Sequence, residues 1–194
     1  MFLNEEMKKN FGVIIDLGKK IDLNFWDGFT PVSESNIEKL ECEINRKLPE
    51  DFKYFYSHIG FGYFPDSVGG DIQSPEEIIN NCHAPYYFVT GSMTSGEEWA
   101  SNEAQRRFYI TYGKENPNPK MFSKESMFLD GVFILDLIQI GSDGCCCYHQ
   151  LNVGEQSEFK YCLLTDSSEI ENKAISFYEG LSNYLKNILE QMED

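Results

Sequence analysis

Between Ser33 and Gly62 the apolar side chains Ile37, Leu40, Ile44 and Leu48 recur at spacings of three and four. That period places them on one stripe of a helix, with Glu34, Glu38, Lys39, Glu41, Glu43 and Arg46 facing water. Ser33 and Ser35 each offer a cap for its first amides, and Ser35 has Glu38 in capping-box register. Pro49 cannot continue the helix but suits the first position of a second one, where Glu50 and Asp51 meet the positive end of its dipole. Phe52, Phe55, Tyr56 and Ile59 form the apolar face of that second helix, and Gly60 and Gly62 supply the backbone freedom that ends it. The pattern predicts two amphipathic helices with a sharp corner at Leu48-Pro49, forming one wall of a core.

The rest of the chain divides around this pair. Residues 1–29 read as a lead-in: Phe11, Val13, Ile14, Ile15 and Leu17 fit either a strand or a helix, and Trp26 and Phe29 are expected beneath the first core helix. Phe61 to Gly70 is dense in turn residues and reads as an irregular connection, followed by a brief strand at Asp71–Gln73. Ser74-Pro75-Glu76-Glu77 opens a short helix with a cap, a first-turn proline and two acids. Residues 80–128 form a variable elaboration, with strand character at Tyr86–Val89, helix-compatible composition at Ser95–Arg107 and a loop at Lys114–Lys120. From Gly131 the texture is β: Val132–Leu135 and Leu137–Ile140, a turn at Gly141–Gly144, a strand at Cys145–Leu151, a second turn, and a strand at Phe159–Leu164. Phe177, Leu181, Tyr184, Leu185, Ile188 and Met192 line one face of a last helix over Ile175–Met192. An antiparallel meander needs a helical layer to bury its inner face, so the expected class is α+β: a central antiparallel sheet flanked by helices, in one domain over 1–194.

Composition narrows what such a domain does. Hydrophobic residues make up 41% of the chain, enough for a packed core, and no apolar run approaches the length needed to cross a bilayer. The first residues, Met1-Phe2-Leu3-Asn4-Glu5-Glu6, lack the basic and apolar regions of a secretory signal, so the expected location is cytoplasmic. The six cysteines are accordingly expected as free thiols. The net charge is −16, and residues 1–97 and 98–194 each hold 16 acidic and 8 basic side chains. Acidity therefore covers the whole surface. Such a surface repels nucleic acid and anionic lipid and steers basic partners, although it also simply keeps a protein soluble.

The densest candidate chemistry is Cys145-Cys146-Cys147-Tyr148-His149. In a strand, Cys145, Cys147 and His149 share a face, but successive residues on one face lie about 6–7 Å apart, wide for a tetrahedral zinc shell. Cysteine as a small buried hydrophobe is the favoured reading. A nucleophilic thiol beside His58, His83 or His149 lacks an activating context. Phosphate-binding glycine loops, dinucleotide fingerprints and zinc-protease or calcium-loop motifs are absent from the sequence, which calls for neither catalysis nor a cofactor nor a metal. Among the aromatics, Phe61 and Phe64 are expected in the core; Tyr63, Tyr86 and Tyr87 fit a core or a binding surface equally well.

The capped helix I-E-K-L-E-C-E-I at 37–44 and L-P-E-D-F-K-Y-F-Y at 48–56 resemble the opening of the SUKH superfamily, the family of yeast cell-wall synthesis regulators and bacterial toxin-immunity proteins. The resemblance continues at Ser74-Pro75-Glu76-Glu77-Ile78, at Ile138-Gln139-Ile140-Gly141-Ser142-Asp143-Gly144 and at the helix beginning Ser176-Phe177, covering about three-quarters of the chain. Where family members often carry Asn-Gly-Gly after the second helix, this chain has Ile59-Gly60-Phe61-Gly62. The resemblance implies an α+β fold and a non-enzymatic role: neutralising a toxin, often a nuclease, by binding it. The alternative it implies is an intracellular regulatory or scaffold module. On the immunity reading the partner is a cognate toxin with a basic surface, not nucleic acid or membrane, met by a monomer or homodimer. The contact residues expected on loops and helix starts are Tyr63, Asp66, Asp71, Glu76, Glu77, Tyr86, Tyr87, Glu97, Glu98 and Asp143. Glu76 and Glu77 also have a purely structural reading, as acids that favour a helix N-terminus.

Overall fold

The computed structural model describes residues 5–83, 128–129, 132–133, 136–154, 157–165 and 169–193. Among the described residues there are five helices: α1 (Glu5–Ile21), α2 (Glu34–Glu43), α3 (Glu50–His58), α4 (Pro75–His83) and α5 (Phe177–Glu193). The strands are β1 (Gly62–Tyr63), β2 (Asp71–Ile72), β3 (Phe128–Leu129), β4 (Val132–Phe133), β5 (Leu137–Ser142), β6 (Cys147–Asn152), β7 (Tyr161–Thr165) and β8 (Ile170–Ala174). Six of them form an antiparallel sheet in the order β1-β2-β5-β6-β7-β8, and β3 pairs with β4 alone. The architecture is α+β, and β5-β6-β7 is the expected meander. The expected strands at Tyr86–Val89 and helix at Ser95–Arg107 lie outside the described residues.

Within the lead-in the apolar run Phe11–Leu17 lies on the helix α1. Met7, Phe11, Ile14, Leu17 and Ile21 follow the helical period, Ile14 and Leu17 are buried, and α1 packs along α5. Trp26 and Phe29 join the same core cluster as Ile37 and Leu40 of α2. Trp26 meets Phe55 of α3 with ring centroids 5.7 Å apart, and Phe29 meets Phe64 at 5.7 Å. Gly18 makes this possible, since a Cβ there would strike the Trp26 ring.

Ser33 caps α2, its side chain accepting from the Asn36 amide, whereas Ser35 sits inside the helix. The helix stops at Glu43 and Asn45 takes a left-handed φ of 51°, so Leu48 reaches the core from a turn rather than from a fourth helical rung. Glu41 is not water-facing as the period implied: it is buried beneath that turn. One carboxylate oxygen accepts from the Leu48 amide at 2.9 Å and the other from Lys47 Nζ at 2.6 Å, with Lys53 Nζ 3.5 Å away. Pro49 is the residue before α3 rather than its first turn.

The core lies between the helices and one face of the sheet. Cross-strand registers put Ile138, Leu151, Tyr161 and Ala174 on that face, all buried, under Phe177, Leu181 and Leu185 of α5 and Phe52, Phe55 and Tyr56 of α3. On the other face Leu137, Phe159 and Cys162 form a smaller cluster with Ile170 against them. The strand β8 was not legible beforehand: in Ile170-Glu171-Asn172-Lys173-Ala174 only two residues are apolar, as suits an edge strand that shows half its side chains to water.

Candidate partner-binding groove

The β1–β2 edge and the start of α4 enclose a groove of about 480 Å³ lined by Tyr63, Asp71, Ser74, Glu76, Glu77 and Asn80, among others. Its formation follows from local chemistry. Gly60, at φ 98°, turns the chain out of α3 so tightly that a side chain there would strike Thr30, and Thr30 and Phe61 then exchange both backbone hydrogen bonds. Phe64 is buried in the core as expected, whereas Phe61, on the same face of the extended segment as Tyr63, is only partly buried against the core and lines the groove, and Tyr63 is 76% exposed.

At the other wall Ser74 and Glu77 make a reciprocal capping box. The Glu77 amide donates to Ser74 Oγ at 3.3 Å, and Glu77 Oε2 accepts from the Ser74 amide at 2.8 Å. Glu77 is thus partly occupied in holding α4, while Glu76 is exposed beside it. Asp71 Oδ1 accepts from the amide and hydroxyl of Ser142 at 2.8 and 2.9 Å, tying the groove floor to β5. Burial raises the Asp71 carboxyl above its ordinary value, against the lowering effect of those two bonds. Among the described residues the lining carries three carboxylates and no lysine or arginine.

The neighbouring turns complete this end of the sheet. A Cβ on Gly70 would strike Ser142 and Asp143, and one on Gly144 would strike Gly69 and Gly70, so the β1–β2 loop bearing Asp66 abuts the β5–β6 turn bearing Asp143. Of the ten expected contact residues, Tyr63, Asp71, Glu76 and Glu77 share the groove, and Asp66 and Asp143 stand on the turns beside it. Tyr86, Tyr87, Glu97 and Glu98 lie outside the described residues.

The β5–β6 turn departs from expectation. Asp143 Oδ1 accepts from the amides of Cys145, Cys146 and Cys147 at 2.9, 3.0 and 2.9 Å. A carboxylate that captures three successive amides delays the strand, which starts at Cys147 and not at Cys145. Cys145 therefore does not share a strand face with Cys147 and His149. Burial pushes the Asp143 carboxyl up, but the three amides outweigh it and hold it below the usual range. No disulfide joins the cysteines.

Nor does this strand hold an activated thiol. Burial, the Asp143 charge and Cys146 push the Cys147 thiol up to about 12. His149 is fully buried, its Nδ1 2.5 Å from the Tyr161 hydroxyl, and burial pushes it down to about 4, so the ring is neutral. It stacks edge-on against Tyr184, with centroids 4.7 Å apart, as a core residue.

A family model described as the SMI1 / KNR4 family (SUKH-1) matches residues 31–183. The chain belongs to the SMI1/KNR4 (SUKH-1) family. No curated protein matches it significantly. The match spans α2 to the middle of α5, so the carboxylates of the groove and the Asp143 turn lie in the family portion while α1 precedes it.

Proposed function

We propose that this SMI1/KNR4-family protein is a cytoplasmic immunity protein that binds a cognate polymorphic-toxin domain and blocks it, a nuclease being the toxin class whose chemistry fits best. The observation that carries the reading is the groove at the β1–β2 edge: an exposed tyrosine among three carboxylates with no basic residue among the described lining residues. A nuclease presents a basic surface to the phosphate backbone, and an acidic wall with an aromatic anchor complements it. No described helix is long and apolar enough to cross a membrane.

Glu76 and Tyr63 are the contact residues to test, because Asp71 and Glu77 also hold the local fold. A candidate toxin domain from the adjacent open reading frame, expressed alone, is expected to arrest growth, and co-expression with the wild-type protein to restore it. Glu76→Lys with Tyr63→Ala is expected to lose protection and complex formation while the circular dichroism spectrum stays unchanged. Absence of both protection and a complex with the wild-type protein would end the immunity reading.

A further inference from the structure

The β5–β6 turn gathers three potential metal ligands that strand alternation alone could not bring together. Cys146 Sγ and Cys147 Sγ are 4.0 Å apart. These two sulfurs and an Asp143 carboxylate oxygen all lie within 4.8 Å of one another. Two thiolates bound to one zinc at about 2.3 Å in tetrahedral geometry stand roughly 3.8 Å apart, so the sulfurs are already near ligating separation. We propose that Asp143, Cys146 and Cys147 form a surface site for a borderline-soft divalent cation of the zinc class, with S₂O protein ligation and the remaining position open to water.

Several features make the site more than a chance cluster. The Asp143 side chain is fixed: Oδ1 holds three amides, which leaves its second oxygen the one suited to ligation. The Cys147 sulfur and an Asp143 carboxylate oxygen lie within the same 4.8 Å cluster, so a cation has to displace only the thiol protons and solvent to be bound. The turn is backed by the β1–β2 loop at Gly69 and Gly70, which restricts its rearrangement. Cys146 is exposed and Cys147 half-buried, so the ion has an open approach from solvent. His149, two residues on, does not belong to the donor set, because its ring is fully buried in the core and neither nitrogen lies in the ligand cluster. The donor chemistry excludes the hard cations: two sulfurs and one oxygen suit zinc, cobalt or cadmium and not magnesium or calcium. The site does not depend on the immunity reading.

Cobalt(II) titration of the reduced, chelator-treated full-length protein tests it. One cobalt per chain is expected, with thiolate-to-cobalt charge-transfer bands and the intense visible absorption of a tetrahedral complex, and zinc should displace it. Cys146→Ser and Cys147→Ser are each expected to weaken binding by about tenfold or more. Asp143→Asn, which keeps the oxygen that accepts the three amides, should weaken it similarly without unfolding the turn. Cys42→Ser, on α2, should leave it unchanged. A pale octahedral spectrum without charge transfer, or undiminished binding in the Cys146→Ser/Cys147→Ser double variant, would overturn the proposal.

Discussion

Glu41 carries a negative charge into a buried position, and its neighbours explain why that is tolerated. Burial alone would raise its carboxyl; the hydrogen bonds from Lys47 and Leu48 and the Lys53 charge outweigh it and hold the group below the ordinary carboxylate range. Glu41→Ala leaves the Leu48 amide without its acceptor and the mostly buried Lys53 without one of its two carboxylates, at a cost of roughly 3 kcal/mol. The sign of the pH dependence follows from the depressed folded value: the stabilisation is complete above the unfolded pKa of 4.5 and is lost as pH falls through the folded one. Urea unfolding of wild type and Glu41→Gln should therefore differ clearly near neutral pH and converge in acid. A gap of equal size at both would show that the charge is not what matters. Helical spacing put Glu41 with the exposed acids because a period reports only the helix's own faces. The turn that folds back over it from Leu48 is invisible to that period.

The helices α2 to α5 were legible from spacing and caps, and the errors fell at their ends. Of the two caps offered Ser33 is the one used; the error is at the Leu48-Pro49 corner, which is a turn stabilised by the Glu41 side chain and not the end of a continuous helix. Helix α5 shows how packing overrides propensity. Gly180 lies within it, where alanine would ordinarily gain about 1 kcal/mol. Here a Cβ would fall on the ring of Tyr161, which is fully buried and held by His149, so it cannot give way. Gly180→Ala is expected to lower stability by about 1–3 kcal/mol, since overpacking exceeds the propensity gain. A raised melting temperature would contradict this. Asp51 adds a tie between helices, its carboxylate accepting from the Tyr178 amide at 3.3 Å at the start of α5. Burial raises the Asp51 carboxyl despite that bond. Strands β5 to β7 were legible from their apolar runs; β8, with only Ile170 and Ala174 apolar, and the two-residue β1 inside the expected irregular connection were missed.

Across the whole molecule, 16 excess negative charges create a field that reaches beyond any single contact. On the proposed function this field would speed encounter with a basic toxin by about 10- to 1,000-fold at low salt. Stopped-flow association should slow steeply as salt rises while dissociation changes little. An association rate indifferent to ionic strength would remove the electrostatic part of the proposal and leave the groove itself standing. Charge counting predicted the sign of the partner's surface. It could not say where on this chain the partner sits, since each half carries the same excess.

Sequence alone determined the α+β class, the helix pair around Pro49 and the meander, because burial of apolar faces imposes periods of 3.6 and 2 on the residues themselves, and its motifs carried the resemblance to the family. The tertiary structure decided which polar groups meet. Asp71 finds Ser142 across 71 positions and Asp51 finds Tyr178 across 127. The groove exists because β1, β2 and α4 converge, and the sulfur pair because the Asp143 side chain turns the chain before β6 begins. Such meetings depend on where distant or irregular segments cross, and a short polar side chain leaves no period to announce it.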